Sequence, residues 1–303
     1  MVQMPVATDI IDAHVHFWHP DKVFIPWVSI NPDFNKHTDA ERYSKEISPH
    51  RVAGAVYVET DVEPTQGLVE ADWICKYAES LNSNALFGGV VAIVAYAPVN
   101  QGVHVRNYLR LLSQLAGERL RGVRYLIQDP ALDPQRVLQP EFVQGIQVLE
   151  EFGLSFDLNI NCRADPAQFP PLVKLVAQCP NIQFILDHMA KPPCDSQPGS
   201  EAFEFWKENI FALAQFPNVA CKVSGLVTET NTPTVQQLKP FVQVVREAFG
   251  ADRLMFGGDW PVCEGATRWR VWFELLTEIV QDWSDQDRHA LFVSNAKRIY
   301  RIK

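Results

Sequence analysis

Positive charge is scarce and never gathers into a run: 27 Lys and Arg stand against 36 Asp and Glu, giving a net charge of −9 and a pI near 5.4. A chain without a basic patch cannot release counterions from nucleic acid or meet anionic lipid headgroups, so neither is expected as a partner. Long apolar runs are missing as well. The stretch from Leu86 to Ala97 is among the longest and falls short of the ~20 residues a membrane-spanning helix requires. The six cysteines (Cys75, Cys162, Cys179, Cys194, Cys221 and Cys263) contain no Cys-x-x-Cys pair, which argues against zinc-finger and dithiol redox sites. Buried thiols in a reducing compartment are the expectation. No charged-then-apolar signal segment opens the sequence, and a cytoplasmic location is expected. No Gly-x-Gly-x-x-Gly follows any candidate strand, which argues against a dinucleotide-binding open sheet.

Hydrophobic residues at 47% and charged residues at 21% describe a folded globular chain with a large core. Its 303 residues suffice for two average domains, yet α/β barrels routinely occupy this length as one. The pattern decides. Short β-type runs cover Ile10 to His16, Val52 to Glu59, Leu86 to Val94, Arg121 to Leu126, Leu154 to Asn159, Ile182 to His188, Val219 to Val223 and Leu254 to Gly257. Between them apolar residues recur at helical spacing, as in Leu68, Ala71, Ile74, Ala78 and Leu81, or Phe142, Ile146, Leu149 and Phe152. Pro171, Pro233 and Pro240 fall in or near first helical turns, and Gly117, Gly153 and Gly250 close helices. Eight strands, each followed by a helix, predict a (β/α)8 TIM barrel of one domain spanning residues 1–303. Trp269 to Val280 completes the eighth unit and Asp285 to Tyr300 adds a C-terminal helix.

In such a barrel the chemistry belongs at the C-terminal ends of the strands. The first strand ends in His14 and His16, whose side chains share one face because strand residues alternate. The sixth ends in His188 and the eighth runs through Gly257-Gly258 to Asp259. Singly, each has a plain reading: hydrogen-bonded core histidines, and an aspartate that caps a helix or braces a loop. Together, three imidazoles and a carboxylate on one rim make either a mononuclear metal site or an acid/base constellation around a water. Arg124, Glu59, Asp157 and Lys222 sit on potentially inward faces of other strands, where burial requires partners. They form either a polar floor for a polyhydroxylated substrate or a closed ion network. Trp18, His19, Phe24, Trp27 and Phe34 follow the first strand and provide either a wall that stacks on sugar rings or packing over the rim. The loop from Met189 to Ser200 is a candidate cover.

The set His14-x-His16, His188 and Asp259 resembles the amidohydrolase superfamily, whose fold is a (β/α)8 barrel. Phe17-Trp18-His19-Pro20, Leu120-Arg121-Gly122-Val123-Arg124, Leu186-Asp187-His188-Met189-Ala190-Lys191-Pro192-Pro193, Cys221-Lys222-Val223-Ser224-Gly225-Leu226 and Phe256-Gly257-Gly258-Asp259-Trp260-Pro261 look like its sugar-lactonase branch. That branch holds fuconolactonase-like and rhamnonolactonase-like enzymes and is similar to 2-pyrone-4,6-dicarboxylate lactonase. The resemblance spans Asp12 to Tyr300. It implies hydrolysis of a small-molecule sugar-acid lactone or similar cyclic ester, with Asp259 as general base and His14, His16 and His188 polarising the carbonyl. Arg124, Glu59, Asp157, Lys222, Trp18 and Trp27 are the expected substrate contacts. Binuclear relatives place a bridging lysine or glutamate where this chain has Arg124, and a cation cannot bridge cations. The expectation is therefore no required metal, or a single Zn2+ on His14, His16, His188 and Asp259. A zinc-dependent decarboxylase or amide hydrolase is the rival enzyme, and a carbohydrate-binding barrel without turnover is the rival outside enzymology.

Overall fold

The structure is a computed structural model and describes residues 9–303. Eight parallel strands stand in sequence order in one sheet: β1 (Ile10–Val15), β2 (Val52–Val58), β3 (Val90–Tyr96), β4 (Leu120–Arg124), β5 (Ser155–Leu158), β6 (Phe184–Leu186), β7 (Val219–Val223) and β8 (Leu254–Phe256). The sheet curls into a nearly closed barrel, the expected (β/α)8 architecture, with helices on its outer face. Only Ala53, Val91 and Arg121 among the strand residues escape full burial. This accounts for runs that read as continuously apolar rather than alternating. All six cysteines are buried and unpaired, as their scattered spacing predicts.

Strand limits differ from the sequence reading where local chemistry intervenes. β3 starts four residues later than Leu86 because Gly88 and Gly89 come first, Gly89 with φ of 101°. A Cβ at Gly88 would collide with the Ala53 carbonyl, so the glycine lets the two chains meet. β6 stops at Leu186, and after Asp187 the backbone turns left-handed at His188 instead of extending to it. Gly117, Gly153 and Gly250 end helices at positive φ as expected, whereas Pro240 lies inside the helix Val235–Phe249. At the C-terminus, Asp285–His289, Ala290–Ser294 and Asn295–Ile299 run on from one another, the middle piece with π-type bonding. Asn295 Nδ2 donates to the carbonyl of Leu254 at 2.8 Å, tying this added helix to the start of β8.

The barrel closes between β1 and β8. Asp259 N donates to His14 O and His16 N donates to Trp260 O, both at 2.8 Å. Just below, a side chain replaces the ladder: Gly258 N donates to Asp12 Oδ1 at 2.8 Å, and His14 N donates to the same oxygen at 3.1 Å. The other oxygen, Asp12 Oδ2, accepts from Tyr43 OH and from Trp269 Nε1, each at 2.7 Å. Tyr43 and Trp269 belong to the outer helices Ala40–Ile47 and Trp269–Ile279. Asp12 thus serves them as well as the seam. The pairing of β1 shifts register between Asp12 and Val15, so strict alternation does not carry from His14 back to Asp12. Burial pushes the Asp12 carboxyl up to about 6 despite its four donors.

Glu70, in the helix Gly67–Ser80, holds the end of β2 in a similar way. Its Oε1 accepts from Tyr57 OH at 2.8 Å, Thr60 N at 2.8 Å and Thr60 Oγ1 at 2.7 Å, while Oε2 has no partner among the described residues. Burial, reinforced by the Glu59 charge, pushes this carboxyl up to about 7.

Two stability measurements follow. Asp12→Ala leaves four donors unpaired and is expected to cost about 3 kcal/mol or more in urea unfolding, each orphaned donor carrying about 1–3 kcal/mol. An unchanged midpoint would show that the seam does not depend on this carboxylate. Because the folded Glu70 binds its proton more tightly than the unfolded chain does, its contribution is fully present below about pH 4.5 and fades as pH rises through about 7. Wild type is therefore expected to lose about 3 kcal/mol relative to Glu70→Gln on that rise. Parallel pH dependences would refute the assignment.

Candidate active site

His14 and His16 point into the top of the barrel, as alternation predicts, and their Nε2 atoms lie 3.2 Å apart. His188 and Asp259 approach from β6 and β8. Asp259 Oδ1 stands 3.7 Å from His14 Nε2, 3.6 Å from His16 Nε2 and 3.8 Å from His188 Nε2. One carboxylate oxygen therefore faces three imidazoles, and all four residues are buried. Two of them sit on left-handed backbone, His188 at φ 52° and Asp259 at φ 54°, and the left-handed run continues through Met189, Ala190 and Lys191. This conformation costs a non-glycine residue about 1–2 kcal/mol, so surrounding contacts hold it. Trp206 Nε1 donates to Met189 O at 2.8 Å, and Cys162 N donates to Ala190 O at 3.1 Å. Gly225 and Gly257 let neighbouring backbone close in. Added Cβ atoms would lie 2.7 Å from His188 Nδ1 and 2.9 Å from the His14 Cβ.

Each imidazole is held through its Nδ1. His16 Nδ1 donates to the carbonyl of Val58 at 2.8 Å. His188 Nδ1 pairs with Ser224 Oγ at 2.8 Å, and His14 Nδ1 meets Lys222 Nζ at 3.1 Å. Lys222 leads into a closed network: it donates to Asp157 Oδ2 at 2.6 Å and lies 2.9 Å from Asp187 Oδ1. Asp187 Oδ2 in turn accepts from Arg124 Nη1 at 3.2 Å. Arg124 is occupied further by Glu59, through Nε to Oε1 and Nη2 to the backbone carbonyl, both at 2.6 Å. Tyr300 OH donates to Asp157 Oδ2 at 3.0 Å from the C-terminal end of the chain. All four charged residues expected on inward faces are thus brought together, with their polar atoms directed at one another.

Sequence reasoning missed Asp187, Ser224 and Tyr300. The first two directly follow buried strand ends, the position that singled out His188 and Asp259, and so carried a legible signal. Tyr300 carried none. Of the aromatic wall, Trp18 is 1% exposed and its Nε1 donates to the carbonyls of Phe34 and Lys36, which is packing over the rim. Trp27 is half-buried, crosses Trp18 edge-on and donates to Thr60 O at 2.8 Å.

Electrostatics set the protonation states. Burial drives His188 down to about 4 and His14 well below the ordinary imidazole value, with Lys222 adding to the effect on His14. Both are neutral near pH 7. Burial opposes the Asp259 carboxylate, but His188, His16 and His14 outweigh it and hold the group below the usual carboxylate range. Asp187 is likewise held well below that range, where Lys222, His14 and Arg124 overcome burial. Burial carries Asp157 up to about 6 although Lys222 pulls the other way. The site sets an ionised carboxylate, able to take a proton from water, beside three imidazoles, of which His188 can donate a hydrogen bond to a developing oxyanion.

His14, His16 and Asp259 offer one ligand atom each within 4.8 Å of one another, spacing suited to a single metal ion. The hydrogen on His14 decides whether one fits. With the Lys222 ammonium donating to His14 Nδ1 at 3.1 Å, the ring proton sits on Nε2, the atom a metal would need bare. In this arrangement the residues do not fit a bound cation.

Comparison with known proteins agrees with this architecture. The family model described as Amidohydrolase matches residues 11–302. An L-rhamnono-gamma-lactonase of Scheffersomyces stipitis is 27% identical, the match covering 97% of this chain and 98% of that protein. An L-fucono-1,5-lactonase of Burkholderia ambifaria is 32% identical over 61% of this chain and 62% of its own length. The crystal structure of an amidohydrolase from Burkholderia multivorans with bound zinc superposes with a TM-score of 0.81 at 23% identity, covering 98% of this chain and 100% of that one.

The network under the histidines yields a test. Arg124→Met leaves Glu59 and Asp187 without their cation and is expected to cost about 3–5 kcal/mol of folding stability, the usual penalty for breaking a buried pair. A variant of normal stability whose KM alone rises would instead make Arg124 a substrate contact.

Proposed function

This chain belongs to the amidohydrolase family, and from that premise we propose that it hydrolyses a sugar-acid lactone or a similar cyclic ester, with Asp259 activating the water. The observation that carries the reading is the convergence of three imidazoles on the single oxygen Asp259 Oδ1, at 3.6–3.8 Å. Two relatives with lactonase names support the substrate class.

Asp259 takes a proton from water as the water oxygen bonds to the ring carbonyl carbon. The carbonyl electron pair moves onto its oxygen, where His188 Nε2–H faces the charge, its other nitrogen taking a hydrogen from Ser224. Collapse of the tetrahedral species breaks the ring C–O bond, and Asp259 returns its proton to the departing alkoxide. One water is consumed and a hydroxy acid leaves. His14 and His16 form the wall beside Asp259, while Arg124, Glu59, Asp157 and Lys222 hold that pair from below. Trp27 offers its half-exposed ring to the C–H face of the sugar, and Trp18 supports it from behind. No step uses a metal.

The product acid releases a proton, so a pH-indicator screen of aldonolactones reads turnover directly. On the lactone that responds, Asp259→Asn is expected to lower kcat by at least ~10²-fold with KM little changed, as loss of a general base does. Asparagine tolerates left-handed backbone as aspartate does, which keeps the fold of the variant intact. Near-normal turnover by the folded variant would remove Asp259 from the mechanism, and silence across the whole panel would remove the substrate class.

A further inference from the structure

Lys222 is the fully buried cation of β7, and its ammonium lies against three acceptors: Asp157 Oδ2 at 2.6 Å, Asp187 Oδ1 at 2.9 Å and His14 Nδ1 at 3.1 Å. The last contact is unusual for a site whose histidines are spaced like metal ligands. We propose that Lys222 is a positioning residue that fixes the tautomer of His14, turning the histidine pair into a directed hydrogen-bond chain and disfavouring divalent cations at this site.

Two independent constraints give the same hydrogen placement. From below, an ammonium carries donors only, so Nδ1 of His14 must present its lone pair and the ring hydrogen resides on Nε2. From above, His16 Nδ1 donates to Val58 O, which leaves His16 Nε2 as a lone pair. The 3.2 Å approach of His14 Nε2 to His16 Nε2 is attractive only if one nitrogen carries hydrogen and the other does not. His14 therefore supplies it. The chain runs in one direction, from Lys222 through His14 and His16 to the Val58 carbonyl, and every member is satisfied. A metal ion would need both Nε2 lone pairs bare and pointing at it.

The opposite tautomer has a partner waiting. Asp187 Oδ1 is 3.3 Å from His14 Nδ1 and 2.9 Å from Lys222 Nζ, and among the described residues it has no hydrogen bond of good geometry to either. It is placed to accept an Nδ1–H and so to orient His14 as a ligand, the carboxylate–histidine pairing that supports many metal sites. Lys222 and Asp187 thus compete for one nitrogen. Lys222 prevails because Asp157, itself braced by Tyr300, holds the ammonium in place, and the Tyr300 ring lies 5.5 Å from Nζ. The inference concerns hydrogen placement alone and stands or falls apart from the lactone reading, since its tests contain no substrate.

The direct test on wild type is an 15N–1H correlation spectrum of the imidazoles in chelator-treated full-length protein. His14 is expected as the Nε2–H tautomer and His16 as Nδ1–H, and His14 bearing its hydrogen on Nδ1 would overturn the proposal. The second test is titration with Zn2+ alone. Lys222→Met keeps the length of the stem without the charge, and Lys222→Met combined with Asp157→Asn removes one of the carboxylates left unpaired. The folded variants are expected to bind zinc at least ~10-fold more tightly than wild type, the lower end of what an outer-shell partner contributes. A merely structural role for Lys222 predicts equal or weaker binding, and that result would also overturn the proposal. If neither variant folds, the wild-type spectrum decides alone.

Discussion

The seam where β8 returns to β1 is the constraint on which the site depends. The two backbone bonds that close it join Asp259 to His14 and His16 to Trp260, so residues that complete the barrel also belong to the cluster of three imidazoles and a carboxylate. A carboxylate proposed as general base gains from placement within a fraction of an ångström. Here that placement comes from the ladder of the sheet itself. Asp12 extends the seam outward by binding the Gly258 amide on one side and Tyr43 and Trp269 on the other. Movement of either outer helix would therefore reach Asp259 through a short path of hydrogen bonds.

Beneath the seam lies a second layer whose role is electrostatic. Arg124 and Lys222 sit among Glu59, Asp157 and Asp187, all buried, and each cation touches at least two carboxylates or carbonyls. Such a set adds little net stability compared with apolar packing but is costly to break. Its value is that it holds orientation without depending on solvent. The histidines above it and an ionised Asp259 form a pattern of dipoles and charge held in place from below.

Backbone strain collects at the same place. His188, its three successors and Asp259 all occupy left-handed conformations that local propensity disfavours. Packing of Trp206 and the bond from Cys162 oppose that tendency. Local preference and tertiary demand conflict at the residues of the candidate site, the kind of place where such conflict is expected.

The linear sequence determined the class of fold, since strand-length apolar runs alternating with helix-length periodicity admit few architectures, and glycine and proline marked the ends. It also determined the rim set His14, His16, His188 and Asp259, because polar residues at the close of buried strands can project only into the mouth of a barrel. It left open whether Arg124, Glu59, Asp157 and Lys222 face a substrate or one another, since composition is the same in both cases. Only the tertiary structure shows their polar atoms paired with one another and with Asp187. Asp12 escaped notice because a register shift breaks the alternation on which the reading of β1 relied, and Tyr300 because its partner lies 143 residues away in the chain. Hydrogen placement on His14 is further still from the sequence. It depends on an ammonium from β7 meeting a ring from β1 at 3.1 Å, a distance that no spacing along the chain encodes.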